Sequence, residues 1–229
     1  MVSDVDFNTA KLLGLVGSVM VTISIFLSVI SPLVGSLTYL AGLVLVLVSL
    51  YFLSEIYRET NIFKYAFLSV VLLIGGFILV AFLLLVVAGV ALAQILTSPW
   101  VGDFEWVRPR HGATVSIEAS AAVLSTFLLA LLVLLALILV SAYLWYKAMS
   151  ILSVKSGEGL FRLSGLLALI ASISLVAGFV TVIILVGFLL ILAYIPLVII
   201  SWVLLAVAFY MLRPPQPPSL PQATQPAFV

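Results

Sequence analysis

The chain has 229 residues, of which 66% are hydrophobic and 7% are charged, and its mean hydropathy is +1.45. A soluble domain is about 45–50% apolar and about 25% charged, so this chain lacks the charge that a water-facing surface needs. The composition excludes a soluble enzyme and a disordered chain, and the net charge of +1 argues against nucleic acid as a partner. We therefore expect an integral membrane protein.

The charged residues occur in clusters, and four long uncharged runs separate them: 12–54, 65–102, 119–146 and 163–212. A membrane helix needs about 20 residues to cross about 30 Å of hydrocarbon. The first and last runs are long enough for two spans each, and the other two hold one span each. The predicted spans are Ala10–Ile30, Pro32–Ile56, Ile62–Leu96, Ile117–Met149, Phe161–Val180 and Ile184–Leu212.

These spans predict an all-α fold, a polytopic transmembrane bundle of six helices. A membrane barrel is excluded because runs such as 83–87 do not alternate between apolar and polar residues. We expect a transmembrane domain over 1–212, with an external loop or short β-hairpin at 97–116 between spans 3 and 4. Asn61 is the expected N-cap of span 3, and Pro196 is expected to kink span 6.

The distribution of basic residues predicts the orientation. If both termini are cytoplasmic, the inner side carries seven Lys and Arg residues and the outer side carries two, which satisfies the positive-inside rule. The inner residues are Lys11, Arg58, Lys64, Lys147, Lys155, Arg162 and Arg213. We therefore predict a multi-pass protein of the cell membrane with both termini cytoplasmic.

The interiors of the spans carry no ionisable residue, although such residues are the usual mark of an ion path or a proton relay. The polar groups there are mainly hydroxyls, and Ser18, Thr22 and Ser172 have two interpretations. They line a path for a neutral solute, or they form ordinary helix contacts. The chain has no cysteine, and we predict no catalytic residue, cofactor or metal site.

Four small residues are candidates for close helix packing. Gly14 and Ser18 form a small-x-x-x-small motif, which packs within the chain or against another subunit. Gly75 and Gly76 lie near the middle of span 3, where they form a bend or a packing notch. Spans 1–2 and 5–6 also resemble each other in layout, with glycines about 151 or 152 residues apart, which leaves an internal repeat open.

The external loop holds the only polar cluster that suggests chemistry: Asp103, Glu105, His111 and Glu118. Oxygen and imidazole groups bind metals, but the spacing fits no metal-binding motif. An ordinary solvated loop with surface ion pairs is the other interpretation. The tail, 213–229, is rich in proline and predicts an extended segment, either disordered or a docking peptide for a cytoplasmic partner.

Three segments carry a resemblance to a known family: 10–18, then 51–58 with 61–66, and 157–165. They resemble an archaeal multi-pass membrane family of uncharacterised function. The resemblance implies a bundle of about six helices in an archaeal cell membrane, and it implies no activity or binding residue.

From these features we predict a non-catalytic integral membrane protein, an accessory or scaffold subunit of a membrane assembly. Its partners would be membrane lipid and other membrane subunits or further copies of itself. The alternative is a channel or carrier for a neutral or apolar small solute, and the weakest hypothesis is a membrane enzyme that uses the external loop.

Overall fold

The computed structural model describes residues 7–97, 117–181 and 185–214, which form six α-helices. In chain order the helices are α1 (Phe7–Ile30), α2 (Pro32–Ile56), α3 (Thr60–Thr97), α4 (Ile117–Ser156), α5 (Gly159–Val180) and α6 (Leu185–Met211). All six are long and apolar enough to cross a membrane, and the described residues contain no strand. The predicted all-α transmembrane fold is confirmed.

The turn between α1 and α2 is a single residue. Ser31 has extended backbone (φ −144°), and Pro32 occupies the first turn of α2, where its missing N–H needs no partner. The amide N–H of Ser31 still donates to the Leu27 carbonyl at 2.8 Å, and that of Gly35 donates to the Ser31 carbonyl at 2.9 Å. The backbone therefore stays hydrogen-bonded through the turn, as an apolar environment requires.

Two local predictions about the connections were wrong. Asn61 is not an N-cap, because α3 begins at Thr60 and the Asn61 side chain donates instead to Glu59 Oε1 at 2.8 Å. Helix α4 continues to Ser156 rather than ending at Met149. It ends where Gly157 adopts a left-handed backbone (φ +72°), a conformation that glycine adopts without strain and that commonly terminates helices.

Helix α6 continues through Pro196. The predicted external hairpin, 97–116, lies outside the described residues apart from Thr97, the last residue of α3. Helices α3 and α4, with 38 and 40 residues, are about 57–60 Å long. They exceed the thickness of the hydrocarbon layer.

The chain divides into two compact units, of which the first contains 1–69 and 142–229. In this unit α1 packs on α2, α5 packs on α6, and α1 packs on α6. The α1–α2 contact is close at Gly17, where an added Cβ would lie 2.7 Å from the Gly42 carbonyl oxygen. The α5–α6 contact is equally close at Gly178, where a Cβ would lie 2.9 Å from the Gly187 carbonyl oxygen.

In both helix pairs, a serine hydroxyl of the second helix donates a hydrogen bond to a backbone carbonyl of the first. Ser49 Oγ on α2 donates to the Ala10 carbonyl on α1 at 2.7 Å, and Ser201 Oγ on α6 donates to the Ser164 carbonyl on α5 at 2.9 Å. The two donors are 152 residues apart in the chain. Each pair thus has a glycine contact and a serine hydrogen bond between its helices, and the α5–α6 pair has a second one, from Ser174 Oγ to the Leu190 carbonyl at 2.9 Å.

The second unit contains 70–141, which includes most of α3 and the first part of α4. Here Gly76 faces Leu137, since an added Cβ would lie 3.0 Å from Leu137 Cδ1. Ala130 and Leu135 of α4 are buried in the same unit. Large aliphatic and aromatic side chains cover the exposed surfaces of the described helices, which fits contact with membrane lipid.

Candidate functional site at the charged end of the helices

The charged side chains that the structure describes gather at one end of the first unit. They belong to the start of α1, the α2–α3 and α4–α5 connections, and the end of α6. The described basic side chains are Lys11, Arg58, Lys64, Lys147, Lys155, Arg162 and Arg213, and the described acidic ones are Glu55, Glu59 and Glu158. Among the described side chains, basic groups therefore outnumber acidic ones at this end, and it is the most polar region of the described chain.

An ion pair joins the two connections at this end. Lys155 Nζ lies 3.3 Å from Glu59 Oε2, and the Asn61 amide donates to the other carboxylate oxygen of Glu59. The Asn61 hydrogen bond and the Lys155 charge together lower the pKa of Glu59 below its usual value. Both side chains of the ion pair are partly solvated, so the pair contributes little to stability and serves mainly to fix the two connections together.

A cation–π contact joins α3 and α4 near the same end. Lys147 Nζ lies 4.3 Å from the ring centroid of Tyr65, within the range in which the ring face attracts a cation. Further along this end, the rings of Trp145 and Trp202 lie 5.7 Å apart. Aromatic side chains of this kind favour the boundary between hydrocarbon and headgroups.

The end of α6 is held by two side chains from other elements. Lys11 Nζ of α1 donates to the Leu212 carbonyl at 3.1 Å, and the Tyr57 hydroxyl donates to the Arg213 carbonyl at 3.1 Å. Carbonyls at a helix C-terminus have no partner within the helix, and a nearby cation also stabilises the negative end of the helix dipole. Burial raises the pKa of Tyr57 to about 12, so its hydroxyl keeps its proton and remains a donor.

The three hydroxyls with two interpretations, a solute path or ordinary helix contacts, bond to their own helices. Ser18, Thr22 and Ser172 each donate to the carbonyl four residues earlier, at 2.7, 2.9 and 2.9 Å. Ser18 is fully buried. Side-chain hydroxyls in membrane helices commonly make this bond, which satisfies them without a solute.

The four predicted packing residues have different surroundings. Gly14 lies against the ring of Phe209 on α6, and an added Cβ there would overlap the ring. Ser18, one turn later, is buried in the same helix. Gly76 faces Leu137, whereas an added Cβ on Gly75 would meet no atom within 4 Å. The motif at Gly14 thus packs within the chain, and Gly75 lies on an exposed surface.

The external-loop candidates are not brought together by any described contact. Asp103, Glu105 and His111 lie outside the described residues, and Glu118 lies in α4 at a position where only the backbone is described. Among the described side chains, no group of three or more acidic or histidine residues is arranged to hold a metal ion. The prediction that the loop is an ordinary solvated segment stays a prediction.

Sequence reasoning did not single out two tyrosines that lie within the spans. Tyr39 of α2 and Tyr194 of α6 are both half-buried. The available signal was their position, because each lies well inside a long apolar run rather than at its boundary.

Comparison with known proteins places this architecture in a family. A family described as a protein of unknown function, DUF996, matches residues 38–195, which is more than half of the chain. The chain belongs to the DUF996 family. The match includes α3, α4 and α5 completely and most of α2. No curated protein and no solved structure matches the chain.

Proposed function

We propose that this DUF996 member is a non-catalytic accessory or scaffold subunit of a membrane assembly. Three features of the described residues support the proposal. The interiors of the spans have no Asp, Glu, Lys, Arg or His side chain, and the hydroxyls that could have lined a solute path bond to their own helices. In addition, α3 has an exposed surface that includes a glycine. The last observation carries the proposal.

No described residue lies against Gly75 of α3. Gly75 is exposed and has open space around it, and its neighbours on the same face include Val71 (45% exposed), Ile78 (65%) and Phe82 (65%). Glycine in a helix costs about 1 kcal/mol relative to alanine, and no contact with a described residue offsets that cost here.

A neighbouring helix would give this glycine a role. Membrane helices associate through small residues that let two backbones approach closely, because lipid provides no hydrophobic driving force for association. Gly75 lies between bulky side chains and so forms a notch for such a helix. We infer that a membrane subunit, or a second copy of this chain, packs on the face formed by Val71, Gly75, Ile78 and Phe82, the α3 face.

The test is purification in mild detergent followed by mass spectrometry of the co-eluting chains. Gly75→Leu should abolish recovery of the partner, since it fills the notch, and should leave the fold intact, since a Cβ at this position has no described atom within 4 Å. Ala41→Leu is the matched control, because Ala41 is an exposed small residue on α2. Recovery of wild-type protein as a lone monomer, or equal loss of the partner in both variants, would refute the proposal.

The proline-rich tail adds a second arm to that experiment. If 213–229 docks a cytoplasmic partner, a chain that ends at Arg213 should lose a soluble co-eluting protein and keep the membrane partner. A channel or carrier for a neutral or apolar solute remains the alternative function. It predicts solute flux into liposomes that contain only this chain, and no flux is expected if the scaffold proposal is correct.

The proposal includes the orientation, with both termini cytoplasmic in the cell membrane of an archaeal source. The basic end described above supports this orientation through the positive-inside rule. Because the chain has no cysteine, His111→Cys and Ser219→Cys each introduce a single reporter thiol. An impermeant thiol reagent applied to intact cells should label position 111 and not position 219, and the reverse pattern would overturn the orientation.

A further inference from the structure

An apolar groove lies between α1 and α6 in the first unit. Its volume is about 410 Å³, it is open along one side, and its walls are apolar. Leu15 and Ile23 of α1 mark its two ends, and Ala206 and Tyr210 of α6 form part of the opposite wall. Thr22 also lines it, but the Thr22 hydroxyl donates to the Ser18 carbonyl. The groove has the size of a typical ligand site, and its walls suit a hydrocarbon chain.

The length of the groove fits within one leaflet of a membrane. From Leu15 to Ile23, the lining residues at its two ends on α1, the helix rises about 12 Å at about 1.5 Å per residue. Half of the hydrocarbon layer is about 15 Å thick. A groove of this length accommodates most of a single lipid chain.

A cationic group lies at the mouth of the groove. Lys11 Nζ lies 5.7 Å from the ring centroid of Tyr210, which lines the groove. The ammonium group has three hydrogens, and one of them donates to the Leu212 carbonyl. Among the carboxylates that the structure describes, none forms an ion pair with Lys11, because the described ion pair is between Glu59 and Lys155. Within the described residues, two donors and the positive charge of Lys11 are thus available to a ligand.

We propose that this groove is a binding site for one anionic phospholipid from the leaflet at the charged end. A hydrocarbon chain of the lipid lies between α1 and α6, and the phosphate accepts hydrogen bonds from Lys11 at the mouth. The basic excess at this end of the unit complements the negative headgroup. The occupant must be a lipid rather than a free phosphate, because the walls of the groove provide only apolar contact.

The site also links the lipid to the structure of the unit. Lys11 holds the end of α6, and the groove walls are formed by α1 and α6 themselves. A bound phosphate would keep the Lys11 ammonium in place by a charge-assisted hydrogen bond, which is stronger than one between neutral groups. The lipid therefore stabilises the α1–α6 contact as well as occupying it.

Native mass spectrometry of the delipidated full chain, with added phosphatidylglycerol or phosphatidylcholine, tests the proposal. Wild-type protein should retain one phosphatidylglycerol more tightly than phosphatidylcholine. Lys11→Gln should weaken phosphatidylglycerol binding about five- to tenfold, the effect of one charge-assisted contact at a membrane surface. Lys64→Gln is the matched control, because Lys64 is an exposed cation at the same end of the unit; it should bind as wild type does.

A second variant tests the groove without changing charge. Val19→Trp should weaken both lipids, because Val19 lines the groove and is 40% exposed, so the new ring fills the space. Val44→Trp on α2, where Val44 is 54% exposed, should have no effect.

Equal retention of the two lipids by wild-type protein would overturn the proposal, and so would equal affinities for Lys11→Gln and Lys64→Gln. Binding of glycerol phosphate as tight as that of the lipid would also overturn it, because the groove would then contribute nothing. If Lys11→Gln fails to fold, the comparison of Val19→Trp with Val44→Trp tests the groove, and equal lipid binding by these two variants would overturn the proposal.

Discussion

The close contact between α1 and α2 predicts that even a methyl group at Gly17 lowers the free energy of unfolding. In Gly17→Ala, the new Cβ would lie 2.7 Å from the Gly42 carbonyl oxygen and 2.9 Å from Val46 Cγ2. Carbon atoms pack best at about 3.5–4.0 Å, so the helices must separate by roughly 0.6 Å or more at this point. Because the closest atom belongs to the backbone, no side-chain rotation relieves the overlap.

Overpacking of a tight contact typically costs about 1–3 kcal/mol. Alanine also favours the helix over glycine by about 1 kcal/mol, which offsets part of that cost. Gly75→Ala is the matched control, because it makes the same exchange where the new Cβ meets no atom within 4 Å. The difference between the two variants isolates the contact, and we expect Gly17→Ala to be less stable by about 1–3 kcal/mol.

The assay is the free energy of unfolding in mixed micelles, measured by titration with a denaturing detergent and followed by circular dichroism. Gly42→Ala should behave like Gly17→Ala, since its Cβ would lie 2.8 Å from the Gly17 carbonyl oxygen. The double variant Gly17→Ala/Gly42→Ala should lose less unfolding free energy than the sum of the two single losses, because either substitution alone already separates the helices. Equal stability of Gly17→Ala and Gly75→Ala would refute the reasoning.

Three further predictions concern hydrogen bonds and titration. Ser49→Ala and Ser201→Ala should each lower the free energy of unfolding by about 0.6 kcal/mol, the average for hydrogen bonds between membrane helices, and a loss above about 2 kcal/mol in the same micelle titration would contradict this assignment. A titration followed by nuclear magnetic resonance should show that the pKa of the Glu59 carboxylate lies below its usual value. Its stabilising effect is therefore present above pH 4.5 and is lost as the pH falls through the lowered pKa. Lys155→Gln should move that pKa back toward 4.5. Tyr57 should ionise only near pH 12 in an ultraviolet titration, so stability should decline as the pH rises from about 10 toward 12; Tyr57→Phe should remove that decline, and ionisation near pH 10 would show that the side chain is not buried.

Much of the membrane architecture could be predicted from the sequence because lipid constrains each span separately. Every span must be apolar and must satisfy its own backbone hydrogen bonds, so length and charge reveal the helices directly. The predicted bounds of span 2 agree with α2, Pro32–Ile56, at both ends. The bounds of α4 were predicted less well because its last turns, up to Ser156, lie beyond the apolar run and are polar enough to resemble a loop.

The sequence alone determined the number of described helices and the asymmetric distribution of basic residues, because apolarity and charge are properties of each segment. Only the tertiary structure decided that Gly14 meets Phe209 and that Gly76 packs while the adjacent Gly75 meets no described atom. It also decided that Lys11 lies near Tyr210 at the mouth of the α1–α6 groove. In lipid, the face of a helix that touches protein is as apolar as the face that touches hydrocarbon, so the sequence carries no amphipathic signal of which residues will meet.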